Sequence, residues 1–246
     1  MTEAASTTYT SAADEMPPHL VLENHLGGDD APNYRDYQYD LIAPHCGQSM
    51  LEIGAGLGEF SEQFLDRRRL VLTDTEPFCL RRLTERFGDR ANVEVRKMFL
   101  PEDIALDEPV ETVVALNVLE HIADDIGTLR ALATVLAPGG RIVLWVPAYE
   151  ALYGDFDDKV GHVRRYTPKT MARAVVHAGL TVVDVRAVNL LGGLAWWAAV
   201  RRGGVSTPNR KLVRIYDKTI IPATRRIESI VRPPFGQTVL CVAARE

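Results

Sequence analysis

Leu51-Glu-Ile-Gly-Ala-Gly-Leu-Gly58 places three glycines at alternate positions directly after a run of apolar residues. Glycine there lets the main chain turn sharply and lets a ligand reach the backbone with no side chain in between. A dinucleotide fingerprint, G-x-G-x-x-G, counted from Gly54 and Gly56 needs a third glycine at position 59, where this chain has Glu59. An acid at that place repels a diphosphate and tolerates a cationic ligand. Asp74 lies 20 residues after Gly54, at the spacing where a carboxylate can accept hydrogen bonds from ribose hydroxyls. An NAD(P)-dependent oxidoreductase is therefore the weaker reading of the loop.

Two further segments could carry chemistry. Glu120-His121 follows an apolar strand, and His121 is a candidate general base or a residue that shapes a helix entry. A metal is not expected there, because the preceding position of that spacing is Asn117, a neutral oxygen ligand. Residues 148–166 are dense in polar and aromatic groups, including Tyr153, His162, Arg164, Arg165 and Tyr166. His162 could deprotonate a hydroxyl or amine, and the two arginines could clamp a carboxylate or phosphate. The alternative is that they pair with Asp155, Asp157 and Asp158 to pin the loop. Trp196-Trp197 sit in an apolar stretch followed by a basic one. They suit a hydrophobic or planar acceptor, a membrane-surface helix, or simple packing.

The elements that must position these residues alternate. Strands are expected at 49–53, 69–73, 93–96, 112–116, 141–146, 180–188 and 237–243, with helices at 34–46, 60–68, 76–87 and 125–136. Pro138-Gly139-Gly140 reads as the turn launching the fifth strand. Thr167 before Pro168 reads as an N-cap, with Gly179 as the stop. Such alternation predicts a doubly wound, mostly parallel α/β sheet. Residues 1–20 read as a tail, 21–246 as one domain, and 189–235 as a helical cap inserted between the last two strands.

Composition sets outer limits. The chain has 246 residues, 46% hydrophobic and 25% charged, with three cysteines and no C-x-x-C pair. That excludes a disulfide scaffold or a zinc ribbon and fits a cytoplasmic protein. The longest apolar run, Leu190–Val200, is too short to span a bilayer, and no Lys or Arg precedes Arg35 to form a leader's basic region. Net charge is −5, yet residues 159–235 carry 15 basic against 3 acidic residues. The C-terminal third should thus face an anionic partner or pair with the acidic remainder. Bulk nucleic-acid binding does not fit.

Taken together, Leu51–Gly58, Asp74, Asn117-Val-Leu-Glu-His121 and Leu136-Ala-Pro-Gly-Gly140 resemble the successive motifs of class I S-adenosylmethionine-dependent methyltransferases. The resemblance implies a Rossmann-like, seven-stranded sheet whose last strand is antiparallel. It implies S-adenosylmethionine as cofactor, with Glu52, Gly54, Ala55, Gly56 and Gly58 at its methionine moiety and Asp74 and Thr75 at its ribose. Met98 and Phe99 would lie at adenine, where this sequence lacks the family's frequent acid, and Asn117 would close the site. Gly161-His-Val-Arg-Arg-Tyr166 resembles a bacterial subgroup found with small-molecule and glycan pathways. The expected activity is methyl transfer to a small acceptor, an oxygen on an anionic or aromatic metabolite. His162 and His121 are its catalytic candidates, and Tyr153, Arg164, Arg165, Tyr166, Trp196 and Trp197 its acceptor-side ones. A non-catalytic cofactor-binding module is the competing reading, and peripheral membrane contact is the less favoured one.

Overall fold

The computed structural model describes residues 16–18, 20–22, 30–201 and 210–246. The expected tail lies almost wholly outside the described residues, as does segment 202–209. One sheet is built from β1 (Ser49–Ile53), β2 (Arg69–Asp74), β3 (Val93–Lys97), β4 (Val110–Leu116), β5 (Leu136–Pro147), β6 (Thr181–Val188) and β7 (Thr238–Ala244). Their order is β3-β2-β1-β4-β5-β7-β6, and β7 runs antiparallel to both of its neighbours. The order reverses between β1 and β4, which opens a crevice at their carboxyl ends.

Central strands are apolar on both faces because helices cover both. On one face α3 (Asp125–Thr134) and α5 (Pro168–His177) bury Leu129, Leu132, Met171 and Val175. On the other, α1 (Pro32–Ile42), α2 (Pro77–Phe87) and the long α7 (Arg210–Glu228) bury Tyr37, Leu83, Phe87 and Ile221 in a second core cluster, in which the Tyr37 ring meets Trp145 of β5. Local chemistry fixes the starts. The Asp124 carboxylate accepts from the Gly127 N–H at α3, and the Thr167 hydroxyl accepts from the Thr170 N–H at α5.

Two expected elements differ. The helix at 60–68 is only a 3₁₀ turn, Ser61–Phe64. The Ser61 hydroxyl donates to Glu52 at 2.7 Å, and the Phe60 and Phe64 rings pack 5.3 Å apart, so the chain is drawn tight against the sheet. The Pro138-Gly139-Gly140 turn lies inside β5, where pairing jumps from Val110 with Leu136 to Thr112 with Arg141. Gly139, at φ +73°, takes up the irregularity.

The excursion after β6 is helical as expected: α6 (Leu190–Arg201), then α7. Asp217, buried on the inner stripe of α7, accepts from Asn33 N, Asn33 Nδ2 and Tyr34 N at 3.3, 2.8 and 2.8 Å. It thereby caps the first turn of α1. At the other end of α7, Glu228 accepts from the Tyr37 hydroxyl and the Leu190 N–H. The cap helix α7 and the N-terminal helix α1 are thereby tied together.

Candidate active site

Four neighbouring strand ends carry the residues expected around the cofactor. Ile53 pairs with Thr73 and with Ala115, and Asp74 pairs with Lys97. Met98 and Phe99, Asp74 and Thr75, Gly54 to Gly56, and Asn117 therefore follow one another along the crevice. The three loop glycines all have positive φ, but their surroundings differ. A Cβ on Gly54 would meet Val118 at 2.6 Å and one on Gly58 would meet Phe87 at 2.5 Å, whereas one on Gly56 would meet nothing within 4 Å. The open face at Gly56 is the approach a ligand needs. Asp74 supports it by accepting from Gly56 N and Glu76 N, each at 2.9 Å. Burial pushes the Asp74 carboxyl above its ordinary range, with the backbone donors partly opposing. Burial likewise pushes Glu52, beneath the loop, up to about 7, although the Ser61 hydroxyl opposes it. Met98 is buried and Phe99 is exposed, with the Lys97 ammonium 4.8 Å from its ring centre. These features fit a cationic, adenosyl-bearing ligand: an uncovered backbone loop and two carboxyls whose ionised forms gain from a nearby positive charge.

A cavity of about 490 Å³ runs from Gly54 and Asn117 past His121 and His162 to Trp196 and Val213 of the cap. At its polar end, α4 (Asp155–Val160) stops at Gly161, whose φ of +84° turns the chain back over the helix. This return sets His162 Nδ1 2.6 Å from Asp157 Oδ1. Arg165 grips the same carboxylate from the other side, Nε to Oδ1 at 2.8 Å and Nη2 to Oδ2 at 2.9 Å. Burial pushes Asp157 up, but the His162 and Arg165 hydrogen bonds outweigh it and hold the carboxyl below its ordinary range. The His162 and His121 rings lie 4.7 Å apart, and Glu120 Oε1 is 3.8 Å from His162 Nε2.

The expected acceptor-side residues separate. Trp196 lines the cavity and donates Nε1–H to the Leu152 carbonyl, whereas Trp197 is 45% exposed and does not line it. Arg165 reaches the cavity wall only with its charge already bound to Asp157. Arg164 pairs with Asp125 at 2.8 Å, and the Tyr166 hydroxyl donates to the same carboxylate. Tyr153 donates to Asp158 and to the His162 carbonyl. Both arginines of the clamp expected for an anionic acceptor thus already have carboxylate partners, a pairing that the buried guanidinium of Arg165 requires. Tyr34 and Gln38 of α1 and Tyr216 of α7 complete the wall and were not legible as site residues. Their only signal was the i, i+4 spacing of Tyr34 and Gln38.

A Rossmann-like sheet with an antiparallel β7, and a bare glycine loop at its switch point, are the architecture that the resemblance to class I S-adenosylmethionine-dependent methyltransferases implied. The chain belongs to the methyltransferase-domain family, which matches residues 27–185. It is 27% identical over 179 residues to a ubiquinone biosynthesis O-methyltransferase of a Methylobacterium species, covering 66% of this chain and 72% of that one. It is 25% identical to a probable S-adenosylmethionine-dependent methyltransferase of Mycobacterium tuberculosis, covering 77% and 67%. A match to an uncharacterized 37.1 kDa transposon protein of Streptomyces fradiae, 25% identical, covers 60% of this chain and only 45% of that relative. The fold is shared with a SAM-dependent methyltransferase of Archaeoglobus fulgidus at TM-score 0.62 and 16% identity, over 93% of this chain and all of that one.

Proposed function

We propose that this methyltransferase acts in the cytoplasm on a hydroxyl oxygen of a small, largely apolar or aromatic acceptor. The observation that carries the reading is the cavity itself: its inner end meets the glycine loop and two histidines, and its outer walls are Trp196, Val213, Ala195 and Leu212. The name of the Methylobacterium relative supports oxygen. An anionic acceptor loses its support, since Arg164 and Arg165 already have carboxylate partners.

When bound, S-adenosylmethionine supplies a methyl group made electrophilic by its sulfonium. The chain's own contribution is alignment and exclusion of water. We assign Gly54, Ala55, Gly56, Asn117 and, acting through the loop, Glu52 and Gly58 to the methionine side. Asp74 and Thr75 are assigned to ribose, and Met98 and Phe99 to adenine. His162, held in orientation by Asp157, and His121 activate the acceptor hydroxyl. One of these imidazoles would take the hydroxyl's proton as its oxygen accepts the methyl group. Trp196 and Phe156, with ring centres 5.5 Å apart, form the floor against which an aromatic acceptor stacks.

Incubation with methyl-labelled cofactor and a panel of phenols, catechols and aliphatic alcohols, read by mass spectrometry, tests this. Label on oxygen is the expected result, with Trp196→Ala raising the acceptor KM at unchanged S-adenosylhomocysteine affinity. Label confined to nitrogen or carbon, or no turnover with the product cofactor bound, would overturn it.

A pH dependence follows for the cofactor. A cationic ligand favours ionised Glu52, so affinity should rise with pH through about 7. If the bound-state value falls well below that, calorimetry should find binding roughly tenfold tighter at pH 8 than at pH 6. Glu52→Gln should flatten the profile, and a wild-type profile already flat would remove Glu52 from the site. In the ligand-free protein the sign is opposite. The folded state holds this proton more tightly than the unfolded one, so Glu52's contribution to stability falls as pH rises from about 4.5 to about 7.

A further inference from the structure

We infer that Glu120, His121 and His162 form a binding site for one divalent first-row transition-metal ion at the polar end of the cavity. Among the described residues they are the group of at least three whose metal-ligating atoms converge, all within 4.8 Å of one another. Three facts carry the inference.

The first is orientation. Asp157 takes the Nδ1 side of His162 at 2.6 Å, which leaves Nε2 as the ring nitrogen facing Glu120. A carboxylate that fixes the tautomer and raises the basicity of an imidazole is the usual outer partner of a metal-bound histidine. Here that carboxylate is itself locked by the two-point grip of Arg165, so the ring cannot readily rotate.

The second is distance. His162 Nε2 and Glu120 Oε1 face each other across 3.8 Å, and each is an atom type that ligates a metal ion. A proton bridges that gap poorly, since hydrogen bonds between nitrogen and oxygen end near about 3.2 Å. Two donors on one zinc-sized ion at roughly 2.1 Å each sit roughly 3.4 Å apart in tetrahedral geometry. The gap is near the second value and beyond the first.

The third is placement. Glu120 is buried, while His121 and His162 line the cavity beside Asn117 and Gly54. An ion there has protein ligands on one side and open positions on the cavity side. Two imidazoles and one carboxylate select zinc, iron or cobalt over magnesium or calcium, which prefer all-oxygen sites. Asn117, the neutral residue that argued against a metal from sequence, is not required, because the third ligand arrives from the loop after β5.

What the ion would do rests on the oxygen-acceptor reading above: it would draw the acceptor hydroxyl in and make its proton easier to lose to water, with His121 and His162 then serving as its ligands and not as bases. That it binds does not rest on that reading. The test strips the full-length protein with chelator, titrates it with Co²⁺ and follows visible absorption, then competes with Zn²⁺. S-adenosylhomocysteine affinity and melting serve as checks of integrity. One equivalent should bind, and Glu120→Gln, His121→Gln and His162→Gln should each weaken it by about 100-fold or more. His177→Gln, on exposed α5 away from the cavity, should not. If His162→Gln fails to fold, the other two variants decide. No cobalt bound by wild type that still binds S-adenosylhomocysteine, or equal affinity in all four variants, overturns the site. Cobalt lost in the cluster variants while label lands on nitrogen would uphold the ion and sink the oxygen acceptor instead.

Discussion

Arg165→Ala should lower stability by about 3–5 kcal/mol, the usual cost of removing one partner from a buried ion pair. Both side chains are enclosed, 4% exposed for Arg165 and 0% for Asp157. The guanidinium supplies two of the hydrogen bonds that make the Asp157 charge tolerable there. For a domain of this length the melting temperature should fall on the order of 10 °C. Arg165→Lys keeps the charge but not the planar fork, so it should recover only part of the loss. His162 shares the carboxylate, so the folded fraction of Arg165→Ala should also transfer methyl groups more slowly. The opposite pattern, an unchanged melting curve with a higher acceptor KM, would restore Arg165 as a clamp for an anionic substrate.

That prediction takes up the second of the two readings the charge pattern left open. Fifteen basic residues against three acidic ones in 159–235 read naturally as a surface for an anion. In the structure these bases meet acids of the same chain, most of them far away in sequence and one, Asp157, within the same loop. Arg210 and Arg214 hold Asp30, Arg225 holds Asp40, Arg164 holds Asp125 and Arg165 holds Asp157. Asymmetry along a sequence does not distinguish an external partner from the chain's own other half.

Local signals carried the rest of the fold. The apolar runs of β1, β2, β4 and β5, the glycine stops and the Thr167-Pro168 cap were legible because each is written in neighbouring residues. The helix expected at 60–68 was not, because its length is set by Ser61 reaching Glu52 and by Phe64 packing under Tyr39. The candidate cofactor residues could be brought together for the same reason, since strand-end motifs fall side by side once the sheet order is known. The polar cluster was legible only in part. His121 and His162 stand out singly, but Glu120 meets His162 through a return at Gly161 that spacing does not reveal. Trp196 and Trp197 look alike in sequence, and only helix phase separates the cavity-lining one from the exposed one.

Gly56→Val should abolish measurable cofactor binding, by about 100-fold or more in S-adenosylhomocysteine affinity. Two effects of the substitution must be separated. Valine at φ +57° is strained, at roughly 1–2 kcal/mol, and this would destabilise the loop even if no ligand came near it. Its side chain would also fill the space over the Gly56 Cα, which the fold itself leaves open to 4 Å. Gly139 supplies the control. It has φ +73° and equally open surroundings, but it sits in the irregular start of β5, away from the crevice. Gly139→Val should therefore show a comparable fall in melting temperature with S-adenosylhomocysteine affinity unchanged. Gly56→Val should show that same fall together with lost affinity. Equal affinities in the two variants would mean that the bare face of Gly56 admits no ligand, and the cofactor would have to be placed elsewhere along the strand ends.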